Sequence, residues 1–194
     1  MTPNRTILVG QDKFIHVYDN VFGVHEQEYF EHFFRESFFK YNNQKATDMT
    51  AHLPSSFLHS RYNQDDVERL CILKPTQKIL TNYENLSFAA SWVNLSLPGA
   101  YYQKHTDAHN SFDERLLTFM YYGTTTWQES YGGETFFYND AGEKEIVVDY
   151  KPGRLVIFDS RIPHKPAFSY GHVAPRYTFV ILFTQGHEQV PNQV

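Results

Sequence analysis

Turn signals divide the second half of this chain into short pieces. Pro98-Gly99, Gly132-Gly133, Ala141-Gly142, Pro152-Gly153 and Gly171 separate runs rich in β-branched and aromatic residues, the pattern of closely spaced strands. Strands are predicted over 88–97, 100–106, 115–123, 134–138, 143–150, 154–160, 166–169 and 176–184, which together imply a jelly roll or barrel. The first half reads differently. Over 25–39, Tyr29, Phe30, Phe33, Phe34 and Phe38 recur at helical spacing and form one aromatic face, predicted to pack on the sheet. Residues 40–64 carry many Asn, Ser, Thr and Gln together with Pro54, and read as a long surface segment of the kind that covers a site entrance. Asp65 or Asp66 is expected to cap a short helix through Leu73, with Pro75 interrupting it before another helical piece near 77–83. An outlying strand is predicted over 14–18. The expected fold class is mainly β with N-terminal helices, an α+β chain in which mainly helical residues 1–86 buttress a jelly-roll core at 87–185.

Composition sets the outer bounds. With 194 residues, 41% hydrophobic and 17% aromatic, the chain can bury one substantial core, and a single domain over 1–194 is expected. A net charge of -5 gives no global footprint for nucleic acid or an anionic membrane surface. Cys71 is the only cysteine, which excludes an intrachain disulfide or a cysteine-rich zinc site and suits a reducing compartment. The apolar run Ile7-Leu8-Val9 is too short for a signal-peptide core or a membrane span. A soluble cytoplasmic protein is the expectation.

His105, Asp107 and the distant His164 are the residues with the most chemistry to offer. Two imidazoles and one carboxylate can hold a divalent metal on one face and leave the opposite positions open, the ligand set of non-haem Fe(II). On a strand, residues two apart project to the same side, so His105 and Asp107 could reach one ion while Thr106 faces away. Pro163 biases the approach to His164 away from helix. In the strand that follows, Arg176, Thr178, Val180 and Leu182 share one face. The planar guanidinium of Arg176 suits it to anchoring the far end of a dicarboxylate. His105 and His109, four apart, could instead bind zinc from a helix, but the strand-like flanks weigh against that arrangement. His109 reads as a rim residue.

These residues and their order resemble the Fe(II)- and 2-oxoglutarate-dependent dioxygenases, most closely the prolyl hydroxylases of the hypoxia-factor type. The resemblance runs from Trp92 to Phe183. Besides the triad it includes Arg115-Leu116-Leu117-Thr118-Phe119-Met120-Tyr121-Tyr122, then Trp127, then Gly132-Gly133-Glu134-Thr135, then Pro152-Gly153-Arg154-Leu155-Val156-Ile157-Phe158. It implies a double-stranded β-helix core, with His105, Asp107 and His164 as iron ligands and Arg176 as the partner of the distal 2-oxoglutarate carboxylate. Collagen-type members carry lysine at the Arg176 position. Tyr122 matches a tyrosine whose hydroxyl helps hold that carboxylate, and Thr178 matches a serine or threonine near it. Leu97 stands where a cofactor-contacting tyrosine is usual, so Asn94 or Tyr102 is expected to substitute. His164 and Arg176 are 12 positions apart, a longer connection than that branch has.

The implied cofactors are Fe(II), 2-oxoglutarate as cosubstrate, and O2. The implied activity is hydroxylation of an unactivated C–H bond with release of succinate and CO2. A prolyl or other protein side chain is the first substrate expected; a small metabolite, a free amino acid or an alkylated nucleobase is the alternative. Arg115, Trp127 and His109 are candidate substrate contacts, although salt bridging and core packing explain Arg115 and Trp127 equally well. A jelly-roll protein whose metal site does not catalyse is the remaining alternative.

Overall fold

The computed structural model describes residues 1–41, 57–83, 85–100, 102–108, 115–170 and 174–185. Strands β1 (Arg5–Val9) and β2 (Lys13–Tyr18) form a hairpin that leads into helix α1 (Val24–Arg35). Two further strands, β3 (Lys40–Tyr41) and β4 (Leu58–Tyr62), precede helices α2 (Gln64–Leu70) and α3 (Leu73–Leu80). The remaining strands are β5 (Leu86–Ser96), β6 (Arg115–Tyr122), β7 (Thr135–Tyr138), β8 (Lys144–Val148), β9 (Leu155–Asp159), β10 (His164–Pro166) and β11 (Arg176–Gln185). Eight of the strands make one sheet in the order β1-β2-β9-β6-β11-β5-β4-β3, and three make a smaller sheet, β10-β7-β8. All pairings are antiparallel. Two facing antiparallel sheets with helices on one side are a jelly-roll arrangement, as expected.

The large sheet is apolar on both faces, and period-two alternation assigns each residue to one of them. Phe119, Tyr121, Ile157, Tyr177, Phe179 and Ile181 face the helices and pack with Phe30, Phe34, Val67 and Ile79. Met120, Tyr122, Val156, Phe158, Val180 and Leu182 face the small sheet and pack with Phe137, Ile146 and Val148. Phe34 is the central knob of the helical layer, stacked on Phe179 at 5.3 Å between ring centroids. A Cβ on Gly123 would lie 2.6 Å from its ring. Removing a ring buried this well costs about 3–5 kcal/mol.

Several sequence expectations are corrected here. The first half is not helical support alone, because β1 to β4 also complete the large sheet at both of its ends. α1 stops at Arg35, four residues early, and only part of the aromatic run packs inward: Phe30 and Phe34 are buried, whereas Tyr29 and Phe38 are 49% and 78% exposed. Phe38 lies beyond the end of the helix, and Tyr29 falls on the helix face turned away from the sheet. Asn63, not an aspartate, caps α2: its side chain accepts from the Asp66 amide at 2.9 Å, and the Asp66 carboxylate accepts from the Asn63 amide at 3.1 Å. Pro75 lies in the first turn of α3, where no intrahelical N–H is needed, and so does not interrupt it. The 40–64 stretch contains β3 and β4. Residues 42–56, which hold most of the expected cover segment, lie outside the described residues.

A bidentate ion pair joins the β2–α1 connection to the start of β9. Arg154 donates from Nε to Asp19 Oδ1 at 2.7 Å and from Nη2 to Asp19 Oδ2 at 3.0 Å. This pairing holds the Asp19 carboxyl below the usual carboxylate range. A depressed folded pKa stabilises the fold above the unfolded value near 4, and the contribution fades as pH falls through the folded value. Asp19→Asn should therefore lower stability by about 1 kcal/mol at neutral pH, a figure already reduced for solvent screening. Urea unfolding should show that difference at pH 7 and show it shrinking below pH 4.

Candidate metal and oxo-acid site

His105 and His164 are locked to each other by their backbones. The His105 amide donates to the His164 carbonyl at 3.0 Å, and the His164 amide returns the bond at 2.8 Å. His164 opens β10 and pairs with Phe137 of β7. The turn before it is held by Arg161, which donates to both carboxylate oxygens of Asp159. His105 belongs to no strand: the predicted strand over 100–106 is absent among the described residues, and the residue makes one isolated bridge. Asp107 sits in a bend, with its amide donating to the Ser160 carbonyl at 3.1 Å. Tertiary hydrogen bonds, not the two-residue period of a strand, bring the three side chains together.

They converge closely. One ligand atom from each of His105, Asp107 and His164 lies within 4.8 Å of the other two, a group that could hold a metal ion. His105 Nε2 is 3.7 Å from Asp107 Oδ1, and His164 Nε2 is 3.6 Å from Asp107 Oδ2. Each imidazole turns Nδ1 toward a carbonyl, that of Gln103 at 3.1 Å and that of Ile162 at 3.0 Å. With Nδ1–H donated there, Nε2 keeps its lone pair for a metal. Burial pushes the His164 imidazole down to about 4, against the upward pull of Asp107, so the ring is neutral at physiological pH. Thr118 donates to Asp107 Oδ2 at 2.8 Å and is also bonded to the Ser160 hydroxyl. These two hydroxyls orient the carboxylate, and the sequence reading did not single them out. Their only signal was the position of Thr118 on the same face as Met120 and Tyr122.

All three residues border a cavity of about 750 Å³ between the sheets, and Arg176 borders it too. Arg176 is 2% exposed. Its Nε donates to the Gly133 carbonyl at 3.0 Å and its Nη1 to the Thr178 hydroxyl at 2.7 Å. The guanidinium lies over the rings of Tyr150 and Tyr122, 4.9 and 5.7 Å from their centroids. Its Nη2 is buried without a hydrogen-bond partner. A buried cation with a free donor nitrogen fits an incoming carboxylate such as that of an oxo-acid cosubstrate.

The other predicted contacts divide into two groups. Asn94, Tyr102 and Thr178 line the cavity. Asn94 Oδ1 is buried without a partner, while the Tyr102 hydroxyl donates to Ser96 Oγ. Tyr122 stands behind the wall, its hydroxyl donating to Thr135 Oγ1 at 2.7 Å, and Thr135 is the residue that borders the cavity. Trp127 is buried against Tyr150 and donates to the Gly132 carbonyl at 3.0 Å. It is off the cavity wall, so core packing explains it. Arg115 opens β6 with its backbone paired to Gln185; its side chain and His109 lie outside the described residues. Tyr150 and Gly133 hold Arg176 in place, and no local sequence signal marked either role.

Residues 91–184 match the 2OG-Fe(II) oxygenase superfamily. The chain resembles that superfamily over 94 of its 194 residues. It is a dioxygenase that uses Fe(II), 2-oxoglutarate and O2. No curated protein matches the chain. Solved structures share the fold of this oxygenase at low identity. One is a prolyl hydroxylase from Trichoplax adhaerens in complex with a hypoxia inducible factor oxygen degradation domain peptide fragment. It is 18% identical, with a TM-score of 0.65 over 88% of this chain and 83% of that one. A prolyl-4-hydroxylase from Pseudomonas putida is 16% identical, with a TM-score of 0.61 over 89% and 92% of the two chains. The viral collagen prolyl hydroxylase of Paramecium Bursaria Chlorella virus-1, in its 2OG complex, is 17% identical, with a TM-score of 0.62 over 89% and 96%. No helix among the described residues of the oxygenase is long and apolar enough to cross a membrane.

Gly133 provides a test of how the guanidinium is positioned. Its φ is +78°, and a Cβ there would meet Trp127 at 2.8 Å and Arg176 Nε at 3.2 Å. Gly133→Ala should displace Arg176 and raise the KM for 2-oxoglutarate on the order of tenfold, about 1.4 kcal/mol of lost binding. Iron affinity, measured separately by metal titration, should stay near that of the parent protein.

Proposed function

We propose that this oxygenase hydroxylates a prolyl or other protein side chain, with residues 1–194 acting as one domain. In this reading His105, Asp107 and His164 hold Fe(II), and Arg176 holds the distal carboxylate of 2-oxoglutarate. The observation that carries it is the buried Nη2 of Arg176, left without a partner on the wall of the cavity that the three candidate ligands also border. Bound iron, 2-oxoglutarate and O2 supply the oxidation, in which decarboxylation to succinate and CO2 accompanies transfer of a hydroxyl to the substrate.

The chain's own part is to bind, orient and exclude water. Asp107 supplies the negative charge that complements a divalent cation, with Thr118 and Ser160 fixing its orientation. The two imidazoles present neutral nitrogen donors, their tautomers set by the Gln103 and Ile162 carbonyls. Arg176 offers a charge-assisted pair to a carboxylate, and Thr178 sits beside it on the same strand face. Met120, Val180 and Leu182 make the floor between these groups apolar, which strengthens each electrostatic contact above it. The peptide in the hypoxia-type relative and the collagen named for the viral one support a protein side chain as the substrate.

Anaerobic titration of Fe(II) and 2-oxoglutarate into the protein should produce their shared charge-transfer absorption. Asp107→Ala should abolish that band even at high 2-oxoglutarate, because two neutral imidazoles lack both a ligand and the compensating charge. Arg176→Ala should leave iron binding intact but weaken 2-oxoglutarate by more than a hundredfold, since an unpaired buried carboxylate costs about 3–5 kcal/mol. A normal 2-oxoglutarate saturation curve in Arg176→Ala would remove the assignment.

A further inference from the structure

The cavity has a second basic edge, on strand β4 of the large sheet. Strand β4 brings His59 and Arg61 to its wall. Cross-strand register places His59 opposite Asn94, and Asn94 in turn opposite Thr178. Arg61 lies opposite Trp92, which is opposite Val180. Two neighbouring rows therefore cross the sheet from β4 to β11. One is polar along its length, and the other begins at a guanidinium and continues over apolar surface.

The polar groups on this edge are not consumed by the fold. His59 Nδ1 and Asn94 Oδ1 are both buried without a hydrogen-bond partner. Among the described residues no carboxylate pairs with Arg61. Lys40 lies opposite His59 on β3, so three basic residues sit on adjacent strand positions. The described charges that act on His59 are those of Arg61 and Lys40, both positive. In a chain with a net charge of -5, Arg61 and Lys40 thus lie together with no ion pair to a carboxylate among the described residues. An unpaired guanidinium beside a buried imidazole nitrogen that lacks a partner, both on a cavity wall, suits an anionic ligand.

We propose that Arg61 and His59 form a subsite for a carboxylate carried by the substrate, one residue or a few bonds away from the carbon that is oxidised. The proposal rests on the functional reading above and adds the chemical class of the substrate. Arg61 makes a charge-assisted pair with the carboxylate, His59 donates to it from Nδ1–H, and Asn94 Oδ1 accepts from an N–H or O–H elsewhere on the same molecule. Trp92 and Ala90, which line the cavity from the next strand, receive the apolar part of the same molecule. Arg176 is then reserved for 2-oxoglutarate, and the two carboxylates are sorted by position. The carboxylate has two sources with one chemistry: an acidic side chain next to the target in a peptide, or the free carboxylate of a small molecule.

The test uses the full chain loaded with Zn(II) and saturating 2-oxoglutarate, so that no turnover occurs and binding alone is read by calorimetry. One pair of probes is a capped tetrapeptide with glutamate after proline and its glutamine counterpart. The other is N-acetyl-L-proline and its carboxamide. In at least one pair the acid should bind more tightly than the amide on the order of tenfold, the scale of one charge-assisted hydrogen bond, and the pair that discriminates identifies the source. Arg61→Gln should reduce that preference to within about twofold, Arg61→Lys should retain part of it, and His59→Gln should diminish it. The affinity for 2-oxoglutarate should be the same in all of them. Equal binding of acid and amide in both pairs, absence of binding by both acids at millimolar concentration, or a preference that survives Arg61→Gln overturns the proposal. Failure of the unmodified Zn(II) protein to bind 2-oxoglutarate would instead overturn the functional reading on which it rests.

Discussion

The register of β11 is the constraint on which the rest of the molecule depends. This strand lies inside the large sheet between β5 and β6, and eight of its ten residues are buried. One face sends Tyr177, Phe179 and Ile181 into the helical layer, and the other sends Arg176, Thr178, Val180 and Leu182 to the cavity. A slip of one residue would exchange the two sets. The guanidinium would then enter the aromatic core, away from its Gly133 and Thr178 partners, and the aromatic rings would fill the space meant for small molecules. Both outcomes are costly, so the hydrophobic pattern that folds the sheet also fixes where Arg176 points.

The triad is held by a different device. Neither His105 nor Asp107 gains its position from a regular strand. The mutual backbone bonds of His105 and His164, and the bond from Asp107 to Ser160, tie a loop to the end of β9 and the start of β10. The supporting contacts follow the same logic: Arg161 clamps Asp159, Thr118 holds Asp107, and carbonyls fix both imidazole tautomers. Pre-formed orientation of this sort limits the reorganisation needed when a cation binds. The carboxylate and His164 are buried, whereas the His105 side chain is 49% exposed, so one side of the group faces solvent.

Arg176 and Arg61 show how burial separates two similar side chains. Arg176 is enclosed, stacked over two tyrosines and bonded through two of its three nitrogens, so its remaining donor has one direction in which to act. Arg61 is exposed at the sheet edge with a flexible stem, suited to a ligand that arrives from outside. Both arginines line one cavity, Arg176 bonded to Thr178 at the far end of the polar row that begins at His59.

Much of this was legible from the chain alone. Strands 115–123, 154–160 and 176–184 were marked by apolar and aromatic runs between glycine turns, and they form within a residue or two of those limits. The candidate ligands and Arg176 were legible because their chemistry is rare and their order specific. Residues 100–106 were misread as strand because apolar and aromatic side chains also occur in loops that cross a core; β3 and β4 were missed because they lie in a stretch dominated by polar residues, and β1 was missed although its hairpin partner β2 is adjacent. The sequence by itself determined which side chains could bind a cation and an oxo-acid, since that follows from their functional groups and from the alternation along β11. Only the tertiary structure decided that Thr118 and Ser160 orient Asp107, that Tyr150 and Gly133 seat Arg176, and that His59 and Arg61 share their cavity. Those relations are distances across strands, set by packing and register, which no local pattern encodes.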